Sequence, residues 1–171
     1  MMVITKVVDH WNQLAVGLNR VLHFTPKPLL EQLMGQTLNH FFKPERQRQQ
    51  FEFLHQRWVK ISIPDLSLIF AVTADNTSSE PRLRVSMRPQ QAAVTMRGDS
   101  AALLMLISGE CDPDTLFFRR KLLLTGDTEL GLAVKNLLDT VELEGRLPRF
   151  AIDTTKRVAQ GLHTPSGVSN F

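Results

Sequence analysis

Five histidines, His10, His23, His40, His55 and His163, are the side chains best suited to proton transfer or metal ligation, but they are scattered along the chain. No two stand four apart, the spacing that would put a pair of ligands on one helix face, and no HExxH occurs. Asp112 and Asp114 flank Pro113 and read as turn chemistry rather than a metal pair: an aspartate before a proline caps a helical turn, and the second favours its positive end. The lone Cys111 allows neither an intramolecular disulfide nor a cysteine-rich zinc site, and it reads as an inert thiol in a reducing cytoplasm. GxSxG, the P-loop pattern and GxGxxG are all missing. The chain is therefore read as a non-enzyme with no catalytic residue, no metal and no cofactor. A formal charge of +3 suits an anionic membrane surface or an acidic partner. Nucleic acid is not expected, because the sequence has no tyrosine and its basic residues are not interleaved with aromatics that could stack on bases.

What the chain offers instead is apolar surface. At 171 residues and 43% hydrophobic content it can bury one core. No run reaches the roughly 18 apolar residues of a membrane span. Residues 2–22 are broken by Asp9, His10, Asn12 and Gln13 and lack a small-residue cleavage site, so they do not read as a signal peptide. Ile4, Val7, Val8, Trp11, Leu14, Ala15, Leu18, Val21 and Leu22 fall at helical spacing in that stretch. This amphipathic helix is an interfacial anchor, a lid, or an element packed on its own core. After the break at Thr25-Pro26-Lys27-Pro28, a second helix carries Leu29, Leu30, Leu33, Met34, Leu38, Phe41 and Phe42 and is expected to end at Pro44. Gly35 within it reads as a weak point or a site of close packing.

From Trp58 the period changes to two. Val59, Ile61 and Ile63 point one way, Leu66, Leu68, Phe70 and Val72 continue in a second strand, and Pro64-Asp65 turns between them as a hairpin. Arg82, Arg84, Ser86 and Arg88 alternate with Leu83, Val85 and Met87 in a third strand; Val94 and Met96 mark a fourth. Gly98-Asp99-Ser100 caps a helix that turns Leu103, Leu106 and Ile107 inward and stops at Gly109. The stretch from Asp112 to Glu144 then supplies a capped turn with a bulky knot of Leu116, Phe117 and Phe118, the basic triplet Arg119, Arg120, Lys121, and a strand at Leu122-Leu123-Leu124. A last helix, capped by Asp127 or Thr128, buries Leu130, Ala133, Val134, Leu137, Leu138 and Val141.

That last stretch, DPDTLFF…KLLLTGDTELGLAVKNLLD, resembles the C-terminal half of sterol carrier protein type-two domains, whose pattern is a DP-x-x-x-F turn, a K-L-x-I strand, G-D and a Leu-rich helix. Common sterol carriers tend to have glycine near Arg120 and a polar residue at Leu123; the departures here resemble the branch of the family that serves ubiquinone biosynthesis. The fold resemblance runs from Lys27 to Glu144. It implies an α+β fold, a five-stranded, mainly antiparallel sheet covered on one face by helices and enclosing an apolar lipid cavity. Residues 25–144 would form the lipid-binding domain, with an N-terminal amphipathic helix at 1–24 and a partly disordered extension at 145–171 that includes a short helix near 151–162.

The cavity expected from this resemblance draws on Met34, Phe70, Met87, Val94, Met96, Leu103, Ile107, Phe117, Leu122, Leu124, Leu137 and Leu138; the competing reading of the same set is a closed core. Trp11, Leu14 and Leu18, with Arg82, Arg84, Arg88, Arg119 and Arg120, are the expected membrane-docking residues. The resemblance further implies a non-catalytic lipid carrier for polyprenylated ubiquinone precursors or phospholipid in the oxygen-independent branch of the pathway. Its partners would be the pathway's hydroxylation proteins and an anionic membrane surface, and its place the cytoplasm, transiently peripheral to the inner membrane. The alternatives are a general phospholipid or fatty-acyl carrier, or an assembly scaffold with a filled core.

Overall fold

A computed structural model describes residues 16–88 and 90–141, together with Gln13 and Arg146. Trp11, Leu14 and the extension beyond Arg146 lie outside the described residues. The chain is helical over 16–24 (α1) and resumes at once as α2, Lys27–Phe41. Pro28 sits in the first turn of α2, where a missing N–H costs nothing. Pro44 behaves the same way, so the expected stop is a restart: after a kink at Phe42, α3 runs from Lys43 to Gln47 with Pro44 in its first turn. Gly35 is not a close-packing site, because a Cβ built there meets nothing within 4 Å.

Five strands follow: β1 Val59–Ile63, β2 Leu68–Asp75, β3 Arg82–Ser86, β4 Val94–Gly98 and β5 Leu122–Gly126. Leu66 is buried but belongs to a 3-10 turn, Pro64–Leu66, rather than to β2, and Ser67 leaves that turn in the left-handed region at φ 49°. The strand order is β3-β2-β1-β4-β5. The β1–β2, β2–β3 and β4–β5 pairs are antiparallel, whereas β1–β4 is parallel because the chain crosses from the β3 edge to the far side of β1 before β4 begins. The cap of α4, Ser100–Ser108, differs from expectation: the Asp99 side chain makes no capping hydrogen bond, and Asp65 of the β1–β2 turn accepts from both the Ser100 N–H, at 2.9 Å, and the Ser100 hydroxyl. A distant carboxylate thus joins the helix to the hairpin. Gly109 ends α4 at φ 71°.

In α5, Pro113–Phe118, Asp112 accepts from Thr115 N–H at 3.0 Å; in α6, Thr128–Thr140, Asp127 accepts from Leu130 N–H at 2.7 Å. That N–H, and the Arg57 guanidinium 3.3 Å away, hold the Asp127 carboxyl below its ordinary range.

The outer edge of β3 is closed by side chains rather than by another strand. The Asn39 amide donates to Leu83 C=O at 2.7 Å and accepts from Leu83 N–H at 2.9 Å, as a neighbouring backbone would. Glu31 accepts from Met87 N–H at 2.6 Å, and Arg46 donates to Pro81 C=O at 2.7 Å. Helices α2 and α3 therefore satisfy an edge that would otherwise invite pairing with another chain. Replacing Asn39 by Ala leaves two half-buried backbone groups without that partner and is expected to cost about 1–3 kcal/mol, read as a lowered urea midpoint at unchanged m-value.

Glu45 of α3 is buried and receives the Arg146 guanidinium in bidentate fashion, at 2.7 and 2.8 Å, while Arg146 also donates to Phe41 C=O at 3.0 Å. Burial alone would raise the Glu45 carboxyl, but the paired guanidinium and the local backbone outweigh it and hold the group below its ordinary value of 4.5. A carboxyl lowered in the folded state contributes stability that is fully present above 4.5 and is lost as pH falls through the native value. Unfolding midpoints measured across the acid range should therefore fall below that pH in the natural chain, and fall less steeply in Glu45→Gln.

Candidate functional site

The pleat and the pairing register sort the sheet into two faces. Every strand residue on one of them is apolar or glycine. Its first row across the sheet is Val85, Val72, Val59, Val94 and Gly126, and its second is Phe70, Ile61, Met96 and Leu124. Leu68, Ile63 and the Gly98–Leu122 pair follow. The opposite face carries Arg82, Arg84, Thr73, Lys60, Ser62, Thr95, Arg97 and Thr125, with Ile69 and Leu123 exposed among them.

The twelve expected lipid contacts divide by burial. Leu122, 0% exposed, and Val94, 1%, are solid core, and Phe70, Met96 and Leu103 are also buried. Met34, Met87, Phe117, Leu124, Leu137 and Leu138 are half-buried and pack against that cluster; Ile107 is half-buried on α4. The structure therefore brings a closed floor and a half-open margin together. Ile61 decides how they are read. It lies in the middle of the central strand, on the apolar face, between the buried Phe70 and Met96, yet it is itself only half-buried. A fully covered sheet would bury that position first. Among the described residues Ile61 is thus less covered than its row neighbours Phe70 and Met96, on a face whose strand positions carry no charged or hydrogen-bonding side chain.

Such a surface binds by removing apolar area from water, about 0.8 kcal/mol for each methylene buried. Methionine and phenylalanine walls adapt to varied chains. Proton transfer has no group to work with there.

Polar clusters lie elsewhere. The carboxylates of Asp112, Asp114 and Asp139 come within 4.8 Å of one another, all exposed. Lys135 sits among them, 2.5 Å from Asp114 and 3.8 Å from Asp139. Its hydrogen bond to Asp114 raises the Lys135 ammonium, while burial and then the Asp114 charge raise the Asp139 carboxyl. The group ties α5 to α6. Cys111 is half-buried, and burial raises its thiol.

Of the expected docking residues, Leu18 is 48% exposed on α1, and all five arginines are exposed. They do not form one patch: Arg82, Arg84 and Arg88 lie on or beside β3 and Arg119 and Arg120 lie next to β5, the two outermost strands. Four inter-strand spacings separate those edges, about 19 Å. Among the described residues no helix is long and apolar enough to cross a membrane.

Two features escaped the sequence reading. The openness of Ile61 has no local signal, since it depends on where distant helices stop. Phe118, expected in a bulky apolar knot with Leu116 and Phe117, is 92% exposed; its place at the end of a helix, directly before three cations, was the available sign.

A five-stranded mixed sheet with helices over one apolar face is the α+β fold expected of a sterol-carrier-like domain. The sequence pattern of the SCP-2 sterol transfer family matches residues 36–139, and the chain belongs to that family. It is 42% identical over 120 residues to the "Ubiquinone biosynthesis accessory factor UbiT" of Escherichia coli (strain K12). The match takes in 70% of this chain and 66% of that one, just under two thirds of the relative's length. The relative of the same description from Escherichia coli O157:H7 matches with the same figures. Among solved structures, the "UbiJ-SCP2 Ubiquinone synthesis protein" superimposes with a TM-score of 0.51 at 18% identity, over 68% of this chain and 98% of that one, a likeness of fold.

Proposed function

We propose that the chain is a non-catalytic, lipid-binding accessory factor of ubiquinone biosynthesis, holding polyprenylated intermediates or phospholipid between its sheet and helices and presenting them to pathway enzymes. The half-open row Phe70, Ile61, Met96 and Leu124 is the observation that carries the lipid reading, and the 42% identity to UbiT is what supports the pathway. In this reading the factor serves the oxygen-independent branch and works with its hydroxylation proteins. It stays in the cytoplasm and visits the inner membrane only to collect a ligand that scarcely dissolves in water. Residues 25–144 are the carrier domain, with residues 1–24 and 145–171 as extensions.

A general phospholipid or fatty-acyl carrier is the second reading, favoured by the lack of any polar side chain on the apolar face to select a headgroup. Solvent extraction of the purified protein followed by mass spectrometry separates the two. Quinone precursors with isoprenoid tails support the proposal, phospholipid alone supports the second reading, and an empty extract leaves an assembly scaffold with a filled core.

A further inference from the structure

Phe117 and Phe118 end the same short helix and part company: Phe117 packs against the core cluster, whereas Phe118 stands 92% exposed. Arg119, Arg120 and Lys121 follow it, all exposed and with no ion pair among the described residues. The turn that displays them is held by the backbone. Arg119 N–H donates to Thr115 C=O at 2.9 Å, Arg120 N–H to Phe117 C=O at 3.0 Å, and Lys121 N–H to Leu116 C=O at 2.9 Å. Arg120 occupies the left-handed position past the helix end, at φ 56°, where glycine is at ease and a side chain is disfavoured. A long cation therefore sits where the backbone prefers none.

We propose that this turn between α5 and β5 is a docking wedge for an anionic lipid surface, with Phe118 inserted at the boundary of headgroups and acyl chains and Arg119, Arg120 and Lys121 contacting the headgroups. The inference rests on the lipid-carrier reading for its purpose, but docking is measured separately from cargo. One exposed aromatic followed directly by three cations is the composition that partitions into a charged interface, where the ring gains from leaving water and each cation gains from the surface potential. Position favours a membrane over an acidic protein. Phe117, one residue away, reaches the core cluster, so the wedge would hold the bilayer beside the interior that receives the lipid.

The test uses the full chain in sedimentation with vesicles of phosphatidylcholine alone and of an equal mixture with phosphatidylglycerol. Phe118→Ala, whose side chain supports nothing in the fold, should weaken binding to the mixed vesicles about tenfold. Arg120→Gly should weaken it about fivefold, which is the loss of roughly one headgroup contact, while raising the melting temperature by a few degrees through relief of the left-handed strain. Neither change should matter on phosphatidylcholine alone. If both variants bind mixed vesicles as the natural chain does, the wedge is wrong and the cations belong to an acidic protein partner. Cargo lipid still recovered from those variants would then leave the proposed function standing without this inference.

Discussion

A chain carrying Gly126→Ala is expected to lose about 2–6 kcal/mol of stability, enough to unfold much of a small domain, as measured by urea denaturation. Gly126 closes β5 at φ 115°, a conformation that side chains rarely adopt, and a Cβ there would stand 2.3 Å from the Ala93 carbonyl oxygen. Both causes act on backbone, which cannot step aside. The contrast is Gly98, where the added atom meets the end of the buried Leu122 side chain at 2.5 Å and the Lys121 carbonyl oxygen only at 3.1 Å, with no left-handed backbone to strain, so Gly98→Ala should cost less. Equal losses from the two changes would contradict this account of the β4–β5 pair.

The second large effect concerns binding. Replacing Ile61 by Trp should reduce the lipid carried by the purified protein at least tenfold while leaving the fold cooperative, because that position is only half-buried, unlike Phe70 and Met96 on either side of it. Met96→Trp is the blunter version of the same change: Met96 is buried in the row beside Ile61, so a larger ring there costs about 1–3 kcal/mol of overpacking before it blocks anything. Lipid content, by extraction and mass spectrometry on both variants, distinguishes them. Undiminished cargo in a folded Ile61→Trp protein would move the binding site away from the second row.

How far the sequence could be read depended on the range of the interactions involved. Period-two alternation over Val59–Ile63 and again from Leu68 to Val72, the Asp112 and Asp127 caps and the left-handed Gly109 are local, and each appears in the structure where its own residues put it, whereas Leu66 leaves the pattern for the 3-10 turn. The prolines misled by a few residues, because Pro44 fits the first turn of a new helix as well as the end of an old one. Long-range partners were illegible: nothing near Asn39 announces that its amide will imitate a strand beside Leu83, nor near Asp65 that it will cap α4. The parallel β1–β4 pair belongs to the same class. For the candidate site, alternation picked out the apolar face correctly, but burial along it is uneven. Only the packing of helices over the sheet separates the sealed Leu122 from the half-open Ile61. Likewise Phe117 and Phe118 are chemically the same, and the phase of one short helix sends them in opposite directions.

The most direct test of a lipid held over the second row is the intact mass of the purified protein under native conditions. The account predicts a one-to-one adduct whose mass is that of a polyprenylated quinone precursor or a phospholipid, present in the natural chain and lost in Ile61→Trp. A natural chain that flies only at its bare mass, or an adduct that persists undiminished in Ile61→Trp, would contradict it.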